Sequence, residues 1–269
     1  REVVMGIGAA VVVLIDYAGC SDDIDMCSTP ELDRIAEGGV SGQLVLRDSD
    51  HGSLVQQVTR GLSRCFCHES LDPWSISAQT RKVVRGKVGP NSQLLLSSGM
   101  TIPELPLGMV TRVFCNEDVM KSVALETVEG GECTEGRKPE VVFVLAPCPS
   151  AISWTEDFLS SIKRKDVLTI VVAMDDSVRS SNEEHTRDRP LFPGHQQSWM
   201  SSSDQLLEGV RGDRRAWYAS FADGMTRKDR VSRFSRDEIV ERGSNLSTLV
   251  DHYIQELMFK LGFLGKYGA

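Results

Sequence analysis

Residues Ala9-Ala-Val-Val-Val-Leu-Ile15 form an unbroken apolar run that closes on Asp16. A strand with one wet face alternates polar and apolar side chains, so a run without a polar position needs cover on both sides. The middle of a parallel sheet provides that cover. Val167-Leu-Thr-Ile-Val-Val-Ala-Met174 repeats the pattern and closes on Asp175-Asp176. Two such strands constrain the fold more than any other feature of the chain.

The segments between them alternate in period. Thr29-Pro-Glu-Leu-Asp-Arg-Ile-Ala36 reads as a helix with Thr29 as N-cap, Pro30 at the first helical position and Gly38-Gly39 as the stop. Gln43 to Arg47 reads as a second strand, and Ser53 to Leu62 as a helix capped by Ser53. Met109 to Cys115 and Val141 to Ala146 read as further strands, with a crossover helix over Ile152 to Ile162. Residues 65–108 carry short strands and loops over one edge, with Val83-Val84 and Leu94-Leu-Leu96 as the apolar pieces. Leu246 to Leu261 repeats apolar residues at three and four residue steps and reads as one helix stopped by Gly262. The fold class that follows is α/β, a three-layer, doubly wound and mostly parallel sheet. The expected organisation is a single domain over 1–269.

At 269 residues, 41% of them hydrophobic, the chain is long enough for a full core. A net charge of -8 argues against gripping phosphodiester backbones, so nucleic acid is not an expected partner. No apolar run approaches the roughly 18 residues of a membrane helix, which predicts a soluble protein without a membrane span. The seven cysteines lack the spacing of a disulfide framework. That predicts an intracellular setting, the cytoplasm or the interior of a plastid or mitochondrion. Cys65-Phe-Cys67-His68 lacks the paired spacing of a structural zinc site, and Gly6-Ile-Gly8 precedes the first strand where a dinucleotide fingerprint would follow it.

Ligands of open parallel sheets gather beyond the carboxyl ends of strands. Asp16 and Asp175-Asp176 stand there, where a metal or a phosphate complex would be held; as single residues they are equally at home as caps and turns. Ser53 is likewise a helix cap by default and a well-placed nucleophile by position, since a helix N-terminus stabilises anionic states. His185, in the polar stretch 178–203, reads by itself as a surface histidine.

These pieces resemble, in order and local wording, the alkaline phosphatase superfamily and within it the archaeal-type cofactor-independent phosphoglycerate mutases. Val11-Val-Val-Leu-Ile-Asp16 is similar to the family's opening strand ending in a metal-binding aspartate, with Tyr17 where a glycine usually follows. Thr29-Pro-Glu-Leu-Asp-Arg-Ile-Ala-Glu-Gly-Gly39 resembles its first helix. His51-Gly-Ser53-Leu resembles the nucleophile segment, Thr169 to Ser177 the strand ending in an Asp-His-Ser metal motif, and Glu184-His185-Thr-Arg-Asp-Arg-Pro190 the later histidine segment.

The resemblance implies an alkaline-phosphatase-like core, with Ser53 as nucleophile and Asp16, Asp175, Asp176 and His185 at the metals. Asp176 occupies a position where histidine is expected. Pro147-Cys-Pro-Ser-Ala-Ile-Ser153 occupies the place of a further metal-binding aspartate and histidine. Too few residues separate Ser53 from the strand at 141 for a full substrate lid, so the cap is reduced or absent, with 65–135 the place for its remnant or for an edge insertion. The expectation is a divergent, catalytically impaired member serving a protein assembly, holding no cofactor or one weakly bound manganese, zinc or magnesium ion. The alternative is a metal-dependent phosphate-ester hydrolase or phosphotransferase that acts on a phosphorylated small molecule through Ser53. Both require Asp16, Ser53, Asp175 and His185 to converge at one rim of the fold.

Overall fold

The computed structural model describes residues 7–17, 29–46, 53–63, 92–97, 110–130, 140–147, 149–175, 201–202, 205–206, 216–245 and 247–261. The strands among them are β1 (Ala9–Asp16), β2 (Val40–Val45), β3 (Ser92–Ser97), β4 (Val110–Phe114), β5 (Glu140–Leu145), β6 (Val167–Met174), β7 (Ser201–Ser202), β8 (Gln205–Leu206), β9 (Ala216–Phe221) and β10 (Ser247–Leu249). All but β7 and β8, which pair with each other, form one sheet in the order β10-β2-β9-β6-β1-β5-β3-β4. The helices are α1 (Pro30–Gly38), α2 (Leu54–Ser63), α3 (Glu117–Glu129), α4 (Ala151–Ser161), α5 (Arg236–Arg242) and α6 (Val250–Lys260).

The apolar run of β1 has the cover it needs. Ala10, Val12 and Leu14 point to one face, where α2 and α6 supply Leu54, Val58, Tyr253 and Leu257. Ala9, Val11, Val13 and Ile15 point to the other, against Leu32 and Ile35 of α1, Met120 of α3 and Phe158 of α4. Burying a valine, leucine or isoleucine side chain stabilises by about 1.5–3 kcal/mol, so a polar residue at any of these positions would forfeit that gain. β6 is sandwiched in the same way. The result is a three-layer α/β fold with a mostly parallel sheet. Among the described residues, no helix is long and apolar enough to cross a membrane.

Two local readings change, and two elements join those read from the sequence. Ala216–Phe221 is an interior strand, antiparallel to both β2 and β6. Trp217 and Tyr218 are buried on its opposite faces. The C-terminal helix starts at Val250 and not at Leu246, because Ser247–Leu249 pair with β2 and satisfy their backbone groups there. Glu117–Glu129 is a helix that charged residues conceal, capped by Asn116 Oδ1 on the amides of Asp118 and Val119. Thr29 occupies the N-cap position of α1 but its side chain makes no capping bond. Glu156 of α4 takes over, accepting from the amides of Glu31 and Leu32 at 2.9 Å each. Leu94–Leu96 lies in β3 as expected, and Val83-Val84 lies outside the described residues.

Candidate functional site at the carboxyl edge of the sheet

β6, β1 and β5 are adjacent and parallel, so their carboxyl ends form one short rim. Asp16 is the last residue of β1 and pairs with Met174, the last residue of β6; Asp175 is the next residue along. The two residues therefore stand on neighbouring strand ends, whose axes lie about 4.8 Å apart, one residue out of register with each other, and both are half-buried.

The other side of β1 differs in chemistry. β5 ends at Leu145, the Ala146 amide donates to Leu14 O at 2.9 Å, and both Leu145 and Ala146 are buried. The chain then passes Pro147 and Pro149 to Ser150, the N-cap position of α4. No carboxylate or imidazole arises between Leu145 and Ser150. Ser150 Oγ itself is turned to Glu117 of α3, donating to Oε2 at 3.3 Å.

Tyr17 adds a second difference. Directly after Asp16, its ring reaches across β6 to stack on Trp217 of β9, with centroids 5.5 Å apart and planes 28° apart. Trp217 sits in register with Ala173, one residue inside the rim, and its buried indole Nε1–H has no acceptor. A glycine after Asp16 would leave this part of the rim open; here two aromatic rings fill it.

Ser53 opens α2, which follows β2, and β2 is three places from β1 in the sheet. Its exposed side chain belongs to a reciprocal cap: the Gln56 amide donates to Ser53 Oγ at 3.4 Å, and the Ser53 amide donates to Gln56 Oε1 at 3.1 Å. Three strand spacings put the axis of β2 about 14 Å from that of β1. Asp176 and His185 lie outside the described residues; of the expected set, Asp16 and Asp175 lie at neighbouring strand ends and Ser53 lies three strands away. Among the described residues, no group of three or more histidine, cysteine, aspartate or glutamate side chains could hold a metal ion. A magnesium or manganese ion takes about six donors, and a two-metal site needs a set on each side of the reacting oxygen. The described residues of this rim do not fit a metal pair.

Elsewhere, polar side chains serve the fold. Arg164 and Asp166 pair just before β6, Arg164 Nη2 donating to Asp166 Oδ2 at 2.7 Å, and the Arg164 hydrogen bond holds the Asp166 carboxyl below its ordinary range. Burial pushes the Glu156 carboxyl upward, against the lowering effect of the two amides it caps. Burial likewise raises the phenols of Tyr218 and Tyr253, which pack ring to ring under α6. Sequence reasoning missed Trp217 and Glu156. The aromatic residues of β9 were a usable signal for the first, whereas the partners of Glu156 lie 124 and 125 residues away in the chain.

With this geometry in hand, the chain can be set beside known structures. The PH0037 protein from Pyrococcus horikoshii superimposes with a TM-score of 0.55 at 10% identity, covering 97% of this chain and 98% of that one. The two share a fold. The cofactor-independent phosphoglycerate mutase from Thermoplasma acidophilum DSM 1728 superimposes with a TM-score of 0.46 at 8% identity, over 94% of this chain and 100% of that one. No protein-family model matches the sequence, and no curated protein sequence matches it.

Proposed function

We propose that this chain is a catalytically impaired relative of the alkaline phosphatases and cofactor-independent phosphoglycerate mutases, kept for its fold as a binding or assembly subunit. The observation that carries this reading is the asymmetry of the carboxyl rim. β6 and β1 end in carboxylates, while β5 ends in Leu145, Ala146 and Pro147 and runs into α4 without a carboxylate or an imidazole. A cation site fed from one side only loses both affinity and the power to activate an attacking group. The Tyr17–Trp217 stack supports the same reading, because it fills space beside the two carboxylates.

One observation favours the alternative, a phosphate-ester hydrolase with Ser53 as nucleophile: Asp16 and Asp175 do stand on neighbouring strand ends. In that reading Asp16, Asp175, Asp176 and His185 would hold a single divalent ion, and the substrate would be a phosphorylated small molecule. The two readings separate on hydrolysis of an aryl phosphate in the presence of manganese, zinc or magnesium. An impaired subunit gives turnover that Ser53→Ala leaves unchanged. Turnover that Ser53→Ala abolishes, in a variant whose melting temperature stays close to the parent's, would establish the enzyme.

A further inference from the structure

The opposite, amino edge of the sheet holds a cleft of about 230 Å³ between α1 and α4. Its floor is Leu159, Val167, Thr169 and Phe221, and charged side chains surround it. Thr169 is 6% exposed and half-buried Phe221 backs the α1 side.

Partner accounting separates the charges that belong to the fold from those that do not. Arg164 is consumed by Asp166 and by the Val128 carbonyl, to which Nη1 donates at 2.9 Å. Lys163 Nζ donates to Ser160 O at 2.7 Å and so answers the carbonyl end of α4. Glu31 accepts from Arg34 Nε at 2.8 Å, and the Arg34 guanidinium lies over the Phe221 ring, 5.1 Å from its centroid. That geometry pins Arg34 through Nε and its flat face, leaving the edge with Nη1 and Nη2. Lys165 lines the same cleft, and among the described residues it has no hydrogen-bond or ion-pair partner. Asp223 also lines the cleft, on the corner of a turn whose next residue, Gly224, has φ 81, a value that glycine adopts without strain.

We infer that this cleft binds a small molecule with an anionic head, a carboxylate or a phosphate, held by the Nη edge of Arg34 and by Lys165. Arg34 is already oriented by Glu31 and Phe221, so the ligand does not meet the cost of ordering it, and a planar edge of paired donors suits two oxygens of one anion. Of the four cations that line the cleft, Arg164 and Lys163 are taken up by the fold, which leaves Arg34 and Lys165 for the ligand, with Glu31 tied to Arg34 and Asp223 beside them. Asp223 restricts the far end of the ligand to a neutral or cationic group, since a second anion there would face its carboxylate. The site lies at the edge opposite to Asp16 and Asp175, so this inference does not rest on the proposed function.

The test is titration of the full chain with inorganic phosphate, then with β-alanine as an anion carrying an ammonium group, at constant ionic strength, followed by calorimetry. Saturable binding is expected, weakened about tenfold by Lys165→Gln and by Arg34→Gln, the loss of one charge-assisted contact. Lys165 has no partner among the described residues, so Lys165→Gln should melt with the parent and reports on the site even if Arg34→Gln unfolds. Lys163→Gln should bind almost as the parent does. Absence of saturable binding of either probe, or binding that Lys165→Gln leaves unaltered, would overturn the assignment.

Discussion

The two ends of the central strands do different work with similar residues. At the amino edge, charges are matched and tied to backbone: Arg164 to Asp166 and Val128 O, and Glu129 Oε1 to the amides of Lys163 and Arg164. At the carboxyl edge, two carboxylates stand on adjacent strand ends, an aromatic pair fills the space beside them, and the third strand leads into α4 without a carboxylate or an imidazole. The first edge holds the layers together. The second carries two carboxylates on one side of β1 and an ordinary helix entry on the other. A fold can thus retain its strand ends while their chemistry is replaced by packing, and the difference shows only when both neighbours of a strand are inspected.

The largest expected effect comes from disturbing the amino edge where no side chain can move aside. Gly39 lies between α1 and β2 with the Ser220 carbonyl pressed against the position a Cβ would take, and the Ile35 carbonyl 2.8 Å from it. Gly39→Ala should destabilise by about 3 kcal/mol, because backbone and not a flexible tip must yield. Chemical denaturation measures it, and a cost below about 1 kcal/mol would show that the contact between α1 and β9 is loose.

A smaller effect contrasts two carboxylates. Glu156→Ala removes the carboxylate that caps α1 from α4 and should cost about 1.5 kcal/mol, as loss of a helix cap does. Their pH dependences have opposite signs. The Glu156 carboxyl is raised in the folded state, so its titration adds stability that is complete below the unfolded range and lost as pH rises through the raised value. Asp166 is lowered, so its contribution is complete above the unfolded carboxylate range and lost as pH falls through the lowered value. Melting temperature followed from about pH 3 to about pH 7 should therefore fall less steeply on acidification in Asp166→Asn, and more steeply in Glu156→Gln. Identical acid limbs in parent and variants would remove the contrast.

Much of this was legible in the sequence. The bounds of β6 follow from Val167 to Met174, and the two-sided burial of β1 follows from its want of a polar position. Asp16 and Asp175 at neighbouring strand ends follow from those runs together with the topology they imply. What escaped is set by distant partners. β9 reads poorly because Ser220 is a polar residue buried inside the sheet, where its hydroxyl donates to the Val40 carbonyl at 3.3 Å. α3 reads poorly because its buried face is only Met120, Ala124 and Val128, spaced four apart among charges. Thr29 carries the residue type of a cap, yet the capping group is Glu156, and nothing local reveals that exchange. The Tyr17–Trp217 stack joins residues 200 positions apart in the chain, and register places them together only once β9 is known to lie beside β6.

The claim that the carboxyl rim has lost its catalytic cation site is met most directly by the metal content of the purified chain. After equilibration with manganese, zinc and magnesium and removal of free ions, elemental analysis should find well below one ion per chain, with the same residue in Asp16→Asn. One or two tightly held ions per chain, lost in Asp16→Asn or Asp175→Asn, would contradict it.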